Sequence, residues 1–224
     1  MDIAVTHVAW FPCYRIIPSR FPPIDLFERI APPQDWEALV ALESLTNDRI
    51  RQEVGDISLV PIEDRISGPG ASVVMAAFTH LNASGSRFAD ATFGAYYAAA
   101  DVETAIAETK FHREEFLRAT KEAPISIEMR VYLADMAADL HDIRGRQSDM
   151  ADIYRGDDYG ASQALARHLR REGSFGIVYD SVRREGGECV ILFRPKMLSN
   201  VRQGAHLIYK WNGAEIGQVY ELRS

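Results

Sequence analysis

Cysteine is scarce in this chain. Its 224 residues include two, Cys13 and Cys189. They form no C-x-x-C pair and no ligand spacing with histidine, which speaks against structural zinc. Cys189 lies in an apolar run and reads as a small core residue. A disulfide between the two stays open, although nothing in the chain looks secreted. Long apolar runs are missing as well: none approaches the roughly 18 to 20 residues a membrane-spanning helix needs. Met1 to His7 show neither a basic segment nor an apolar stretch of the signal-peptide type, so the expectation is a soluble, cytoplasmic protein. Positive charge is in deficit, with 25 Lys and Arg against 32 Asp and Glu and a formal net charge of -7. Such a surface repels nucleic acid and anionic lipid. Neither is expected as a partner, and a bound phosphate would be held by a few placed arginines. The chain has no G-x-G-x-x-G, no P-loop, no His-x-x-x-His, no EF-hand loop and no internal repeat.

What is present is ordinary globular composition, 47% hydrophobic and 25% charged, enough for one good core. Tyr14 to Ile17 reads as a short strand closed by Pro18. Gln34 to Gln52 is helical in pattern and stops at Gly55. Ile57 to Pro61 is a small strand or extended link. Ser67 to Gly70 is a turn before a second helix, Ala71 to Leu81. Gly94 to Ala99 is an aromatic strand, and Asp101 after it is a good N-cap for a helix from Val102 to about Arg118. At 100° per residue that helix carries an apolar stripe of Val102, Ile106, Thr109 and Phe116, with Ala105, Glu108 and His112 on its flank. Ile125 to Leu133 alternates apolar and polar residues, the mark of a strand with one buried face. Leu140 to Ile143 is a short strand or link. Ser162 to Glu172 is an amphipathic helix ended by Gly173. Gly176 to Tyr179 and Cys189 to Phe193 are apolar strands joined by a loop from Ser181 to Gly187. Ala205 to Trp211 and Glu215 to Leu222 form a hairpin at Asn212-Gly213. The expected fold is a single α+β domain over residues 1–224.

The residues that could carry chemistry sit at element ends. Serine without a G-x-S-x-G elbow speaks against acyl transfer. An arginine fork can grip phosphate, a tyrosine can stack on a flat heterocycle, and a serine hydroxyl can bond a ribose or an amide. A carboxylate can stabilise a glycosidic carbon that turns positive. This set suits a nucleotide with a pyrophosphate and two riboses. Tyr96 and Tyr97 point to opposite faces, so only one can line a given cleft. His112 is placed to pair with Glu108, and Arg183 and Arg184 read as a solvated loop face from which either could touch a phosphate.

Four segments together resemble one family: Tyr14-Arg15-Ile16; Ser86-Arg87-Phe88; Tyr97-Ala98-Ala99 running on to Ala105-Ile106-Ala107-Glu108; and Gly176 to Arg183, containing Ser181, with Gly186-Gly187. The chain is similar to RES-domain proteins, named for their arginine, glutamate and serine, over about residues 10–195, with the hairpin at about 205–222 beyond. Where that family often carries Arg-Trp-Asn-Pro-Pro-Gly, this chain reads Arg87 to Gly94 without the tryptophan or the prolines. The resemblance implies an ADP-ribosyltransferase-like fold of split antiparallel sheets with flanking helices. It implies the toxin of a bacterial toxin–antitoxin pair that degrades NAD at the nicotinamide–ribose bond, by hydrolysis or phosphorolysis and without a metal. By match to the motifs, Arg15 and Arg87 would hold phosphates or ribose, Tyr97 would pack on the nicotinamide end, Glu108 would act at the scissile ribose, and Ser181 would orient the ligand. A small helix-turn-helix antitoxin would be the protein partner; a homo-oligomer is compatible with the sequence. Two other readings need the same ligand grip: an ADP-ribosyltransferase acting on protein or RNA, and a non-catalytic nucleotide- or partner-binding module.

Overall fold

Alternating side chains divide the molecule into two cores on opposite faces of one sheet. The computed structural model describes residues 3–19, 33–35 and 55–222. The strands are β1 (Val5–Pro18), β2 (Tyr96–Ala99), β3 (Ile125–Asp142), β4 (Gly176–Asp180), β5 (Glu188–Leu192), β6 (Leu198–Trp211) and β7 (Ile216–Leu222); the helices are α1 (Ala71–Thr79), α2 (Val102–Ala119) and α3 (Gly160–Arg171). The helical pattern over 34–52 lies almost wholly outside the described residues.

The strand order is β1-β2-β5-β4-β3-β6-β7, and β1 also pairs with β3. The pairings from β1 through β2, β5, β4 and β3 therefore return to β1. All are antiparallel except β3 with β4, where His141 lies beside Ile177. The architecture is mixed α+β, as expected.

Residues of odd and even number on the central strands face different cores. Ile177, Tyr179, Cys189 and Ile191 pack with Leu117 of α2 and with Ala166 and Leu169 of α3. Val178, Val190 and Leu192 pack with Val74, Met75 and Phe78 of α1. Burial on both faces is why β4 and β5 read as unbroken apolar runs. Tyr96 belongs to the α1 core and Tyr97 to the other, the opposed orientation that alternation demands.

Several expectations need correction. β1 begins at Val5 rather than Tyr14, because its first half is held by pairing with β3 and not by any clean alternation of its own. β3 continues to Asp142, and its buried residues change face along the way: Met129 and Val131 serve the α2–α3 core, Ala134, Met136, Ala138 and Leu140 the α1 core. Ile125, placed on the buried face by the pattern, is 50% exposed because the strand's start overhangs the core. Ile57 to Pro61 is no strand; Ile57–Leu59 and Ile62–Asp64 are 3-10 turns, the first capped by the Asp56 carboxylate, which accepts from the Ser58 N–H at 3.0 Å. In α2 Thr104, Ala105 and Leu117 are buried and Val102 and Ile106 of the expected stripe pack against the same core, but Phe116 is 45% exposed.

The entry to β2 is set by a close backbone approach. A Cβ at Gly94 would meet the Ala77 carbonyl oxygen at 2.5 Å and the Phe78 Cα at 2.6 Å. Both are backbone atoms of α1, so neither can swing aside. Gly94→Ala is expected to destabilise the fold by about 1–3 kcal/mol through overpacking, read as a lowered urea midpoint with an unchanged slope.

Candidate functional site

Asp101 leaves the end of β2 and caps α2. Its carboxylate accepts from the Thr104 N–H and the Thr104 hydroxyl, each at 2.8 Å. Arg184, from the loop after β4, donates to the same carboxylate at 3.2 Å and to the Thr104 hydroxyl at 3.0 Å. The start of α2 is thus stapled to the loop that bears Ser181. Gly187 permits the contact, since a Cβ there would lie 2.6 Å from the Thr104 hydroxyl oxygen. Burial pushes the Asp101 carboxyl up, but the Thr104 bonds and the Arg184 charge outweigh it and hold the group below the usual carboxylate range. A carboxyl depressed in the folded state contributes stability above its unfolded pKa and loses it as pH falls through the folded value. Asp101→Ala is therefore expected to cost about 0.5–2 kcal/mol at neutral pH, with the gap from the parent narrowing below about pH 4 in melting experiments across pH.

Nearly two turns into α2, Glu108 meets Ser181. The serine hydroxyl donates to Glu108 Oε1 at 2.6 Å and accepts from the Arg183 and Arg184 N–H groups, both at 3.1 Å. The serine forms its own turn and aims one hydrogen at the carboxylate. Cys189 Sγ lies 3.9 Å from the same oxygen as a weak donor. Glu108 Oε2 carries no hydrogen bond among the described residues, and the side chain is only partly buried. The carboxylate is held by one oxygen and open at the other.

Tyr97 stands on the adjoining strand. Its hydroxyl accepts from the Phe88 N–H at 3.0 Å and the Ala89 N–H at 3.1 Å, and shares a hydrogen with Ser86 Oγ at 2.8 Å. Burial raises its pKa, against the pull of these donors. The hydroxyl is fully engaged in fixing the 86–89 turn, so only the ring can meet a ligand. Arg87, in that turn, is 7% exposed. Its Nη1 donates to the carbonyls of Arg155 at 2.7 Å and Ile153 at 3.3 Å, and its guanidinium sits 5.1 Å above the Tyr159 ring. The Arg87 carbonyl accepts from Ser162 at the start of α3.

Arg15 reaches the group through the backbone. Its Nη1 donates to the Tyr97 carbonyl at 3.1 Å, and its Cζ lies 4.7 Å over the Tyr96 ring. Burial pushes its pKa down. Among the described residues Arg15 makes no ion pair with Glu108, and its placement orients β2.

Arg183 departs from the expected solvated loop face. It is no solvated charge: its Cζ sits 3.3 Å from the Phe111 ring centroid, and its Nη2 donates to the Gly156 carbonyl at 2.8 Å. Arg184 is likewise spent on Asp101. His112 feels the Glu108 charge, yet desolvation, Arg183 and Arg87 together hold it below the usual histidine range. The structure thus joins Glu108 to Ser181 directly, Tyr97 to Arg87 through one turn, and Arg15 to Tyr97 through a carbonyl. Among the described residues no group of three or more His, Cys, Asp or Glu is placed to hold a metal ion, and no helix is long and apolar enough to cross a membrane.

A family model described as the RES domain matches residues 62–212. That is well over half of the chain, and the chain belongs to this family. Arg87, Tyr97, Glu108 and Ser181 lie inside the match and Arg15 lies outside it. The chain is also 32% identical over 209 residues, 92% of its own length and 86% of the relative's, to the uncharacterized protein y4oC of Sinorhizobium fredii (strain NBRC 101917 / NGR234). Among solved structures, a chain of the M. tuberculosis MbcT-MbcA toxin-antitoxin complex aligns with a TM-score of 0.48 at 12% identity, covering 94% of this chain and 88% of that one.

Proposed function

We propose that the protein cleaves the nicotinamide–ribose bond of NAD and acts as the toxin of a toxin–antitoxin pair. The observation that carries the reading is the half-held carboxylate: Glu108 Oε1 is fixed by Ser181 while Oε2 is open. A pyridinium leaving group is already activated. The nicotinamide departs with the electron pair of the C–N bond, the ribose carbon becomes oxocarbenium-like, and an adjacent fixed anion stabilises it. Water then adds its oxygen to that carbon and releases a proton; phosphate can add in the same way. Ser181 in this reading positions the carboxylate, and the Tyr97 ring borders the nicotinamide end. Arg183 and Arg87 act on the same imidazole, His112, that feels the Glu108 charge, and they would face the phosphates.

The toxin role follows from what RES-domain membership implies, and with it a helix-turn-helix antitoxin that covers the cleft. The test is product identification after mixing purified protein with NAD, with and without phosphate. Free nicotinamide with ADP-ribose supports hydrolysis; a phosphorylated ADP-ribose supports phosphorolysis. Labelled ADP-ribose on protein or RNA would move the assignment to a transferase, and binding of NAD without nicotinamide release would leave a binding module.

A further inference from the structure

A second concave feature shares no lining residue with the Glu108–Ser181 site. Two clefts of about 190 and 230 Å3 adjoin at Arg170, which lines both. The smaller is lined by Phe93, Arg167, Arg170 and Arg171. The larger continues over Pro61, Phe78 and Phe193 to Arg194. The floor is aromatic, with Phe93 meeting Phe193 edge-on at 6.0 Å. The wall is cationic, with Arg170 Cζ 4.9 Å above the Phe93 ring.

Two of the charges here differ from several arginines elsewhere on the surface. Arg118, Arg144, Arg184 and Arg202 are all tied to carboxylates. Of the lining arginines, Arg167 is paired with Asp90 at 2.6 Å, and Arg194 lies 3.8 Å from Asp64, which Lys196 also meets at 2.5 Å. Arg170 and Arg171 have no ion pair among the described residues, and both are exposed. The Arg171 side chain is steadied by donating from Nε to the Arg167 carbonyl at 3.3 Å. Two uncompensated guanidinium forks thus stand over an aromatic floor, on a chain whose net charge is -7.

We propose that this groove docks an acidic segment of a partner protein that carries an aromatic side chain. Guanidinium forks match carboxylates bidentately, and the aromatic ring would pack on the Phe93–Phe193 floor, where edge-to-face contacts are favourable. Nucleic acid fits less well: a short acidic segment needs only the two free arginines, whereas a continuous phosphate backbone would run on past them over Glu63 and Asp64 of the lining and a chain of net charge -7. The inference is independent of the NAD reading, since it uses none of the same side chains.

The experiment measures binding of a short fluorescent peptide of Glu and Asp about one central Phe to the full chain by anisotropy. A peptide with Gln and Asn in place of the acids, a DNA duplex and inorganic phosphate serve as comparisons. Saturable binding is expected that is weakened by salt and falls by about tenfold or more in the double variant Arg170→Glu, Arg171→Glu. The milder pair Arg170→Gln, Arg171→Gln is expected to lie between, and NAD turnover is expected to be unchanged in both. Equal binding of the Gln/Asn peptide, tighter binding of the duplex, displacement of the peptide by phosphate, or undiminished binding by both double variants would each overturn the proposal.

Discussion

Glu108→Gln is expected to lower nicotinamide release from NAD by about 10²–10³-fold, the range found when a preorganised electrostatic stabiliser is removed. Glutamine keeps the shape, and its amide oxygen can still accept the Ser181 hydroxyl, whose bond now spans 2.6 Å. The variant therefore loses the charge and little else, and its stability should stay within about 1 kcal/mol of the parent. The loss should fall on kcat rather than KM, because the anion faces a charge that develops only in the transition state. Ser181→Ala tests the second half of the arrangement. It frees Oε1 to rotate and removes the acceptor for the Arg183 and Arg184 N–H groups, so activity should drop less than in the glutamine variant while the turn loosens. A Glu108→Gln protein that releases nicotinamide at the parental rate would sink the proposed function, whatever the behaviour of the serine variant.

The elements that carry this carboxylate were readable before any coordinates. Asp101 followed by the 102–118 pattern announces a capped helix, and the cap is made by the Thr104 N–H as such a residue should make it. Asn212-Gly213 announces the last hairpin, and Gly213 adopts the left-handed backbone, at φ 102°, that the turn requires. These signals are local, so sequence holds them. What failed to show was tertiary. The part of β1 before Tyr14 lacks alternation and contains Pro12, and it is a strand because β3 pairs with it over a separation of more than a hundred residues. Arg183 has the look of a loop charge until Phe111, 72 positions earlier, is brought beneath it. The two candidate arginines sit in different settings. Arg15 lies outside the RES match and bonds a backbone carbonyl, whereas Arg87 lies inside the match and in the Tyr97-fixed turn.

Arg87→Ala is expected to cost about 2–4 kcal/mol of stability and to abolish most activity, for reasons that its surroundings separate. Its Nη1 is the donor for two carbonyls, those of Ile153 and Arg155. Removing a charged donor forfeits a bond worth about 1.5–3 kcal/mol and leaves acceptors unpaired. The guanidinium also fills the space over Tyr159, so truncation opens a gap there. Arg87→Met keeps much of the volume and removes the donors; its stability loss should be smaller than that of alanine, with activity falling as far. The 150–159 segment is held from three sides, by Arg87, by Arg183 at the Gly156 carbonyl, and by the Tyr154 hydroxyl donating to the Ile143 carbonyl at 2.6 Å. Loss of one tie should show as faster amide hydrogen exchange confined to that segment. If Arg87 also faces the phosphates of NAD, added NAD should slow that exchange in the parent and fail to do so in Arg87→Met. An arginine that serves the fold alone gives a different pattern: NAD protects the segment equally in both proteins, and KM is unchanged once the methionine variant is assayed well below its melting temperature.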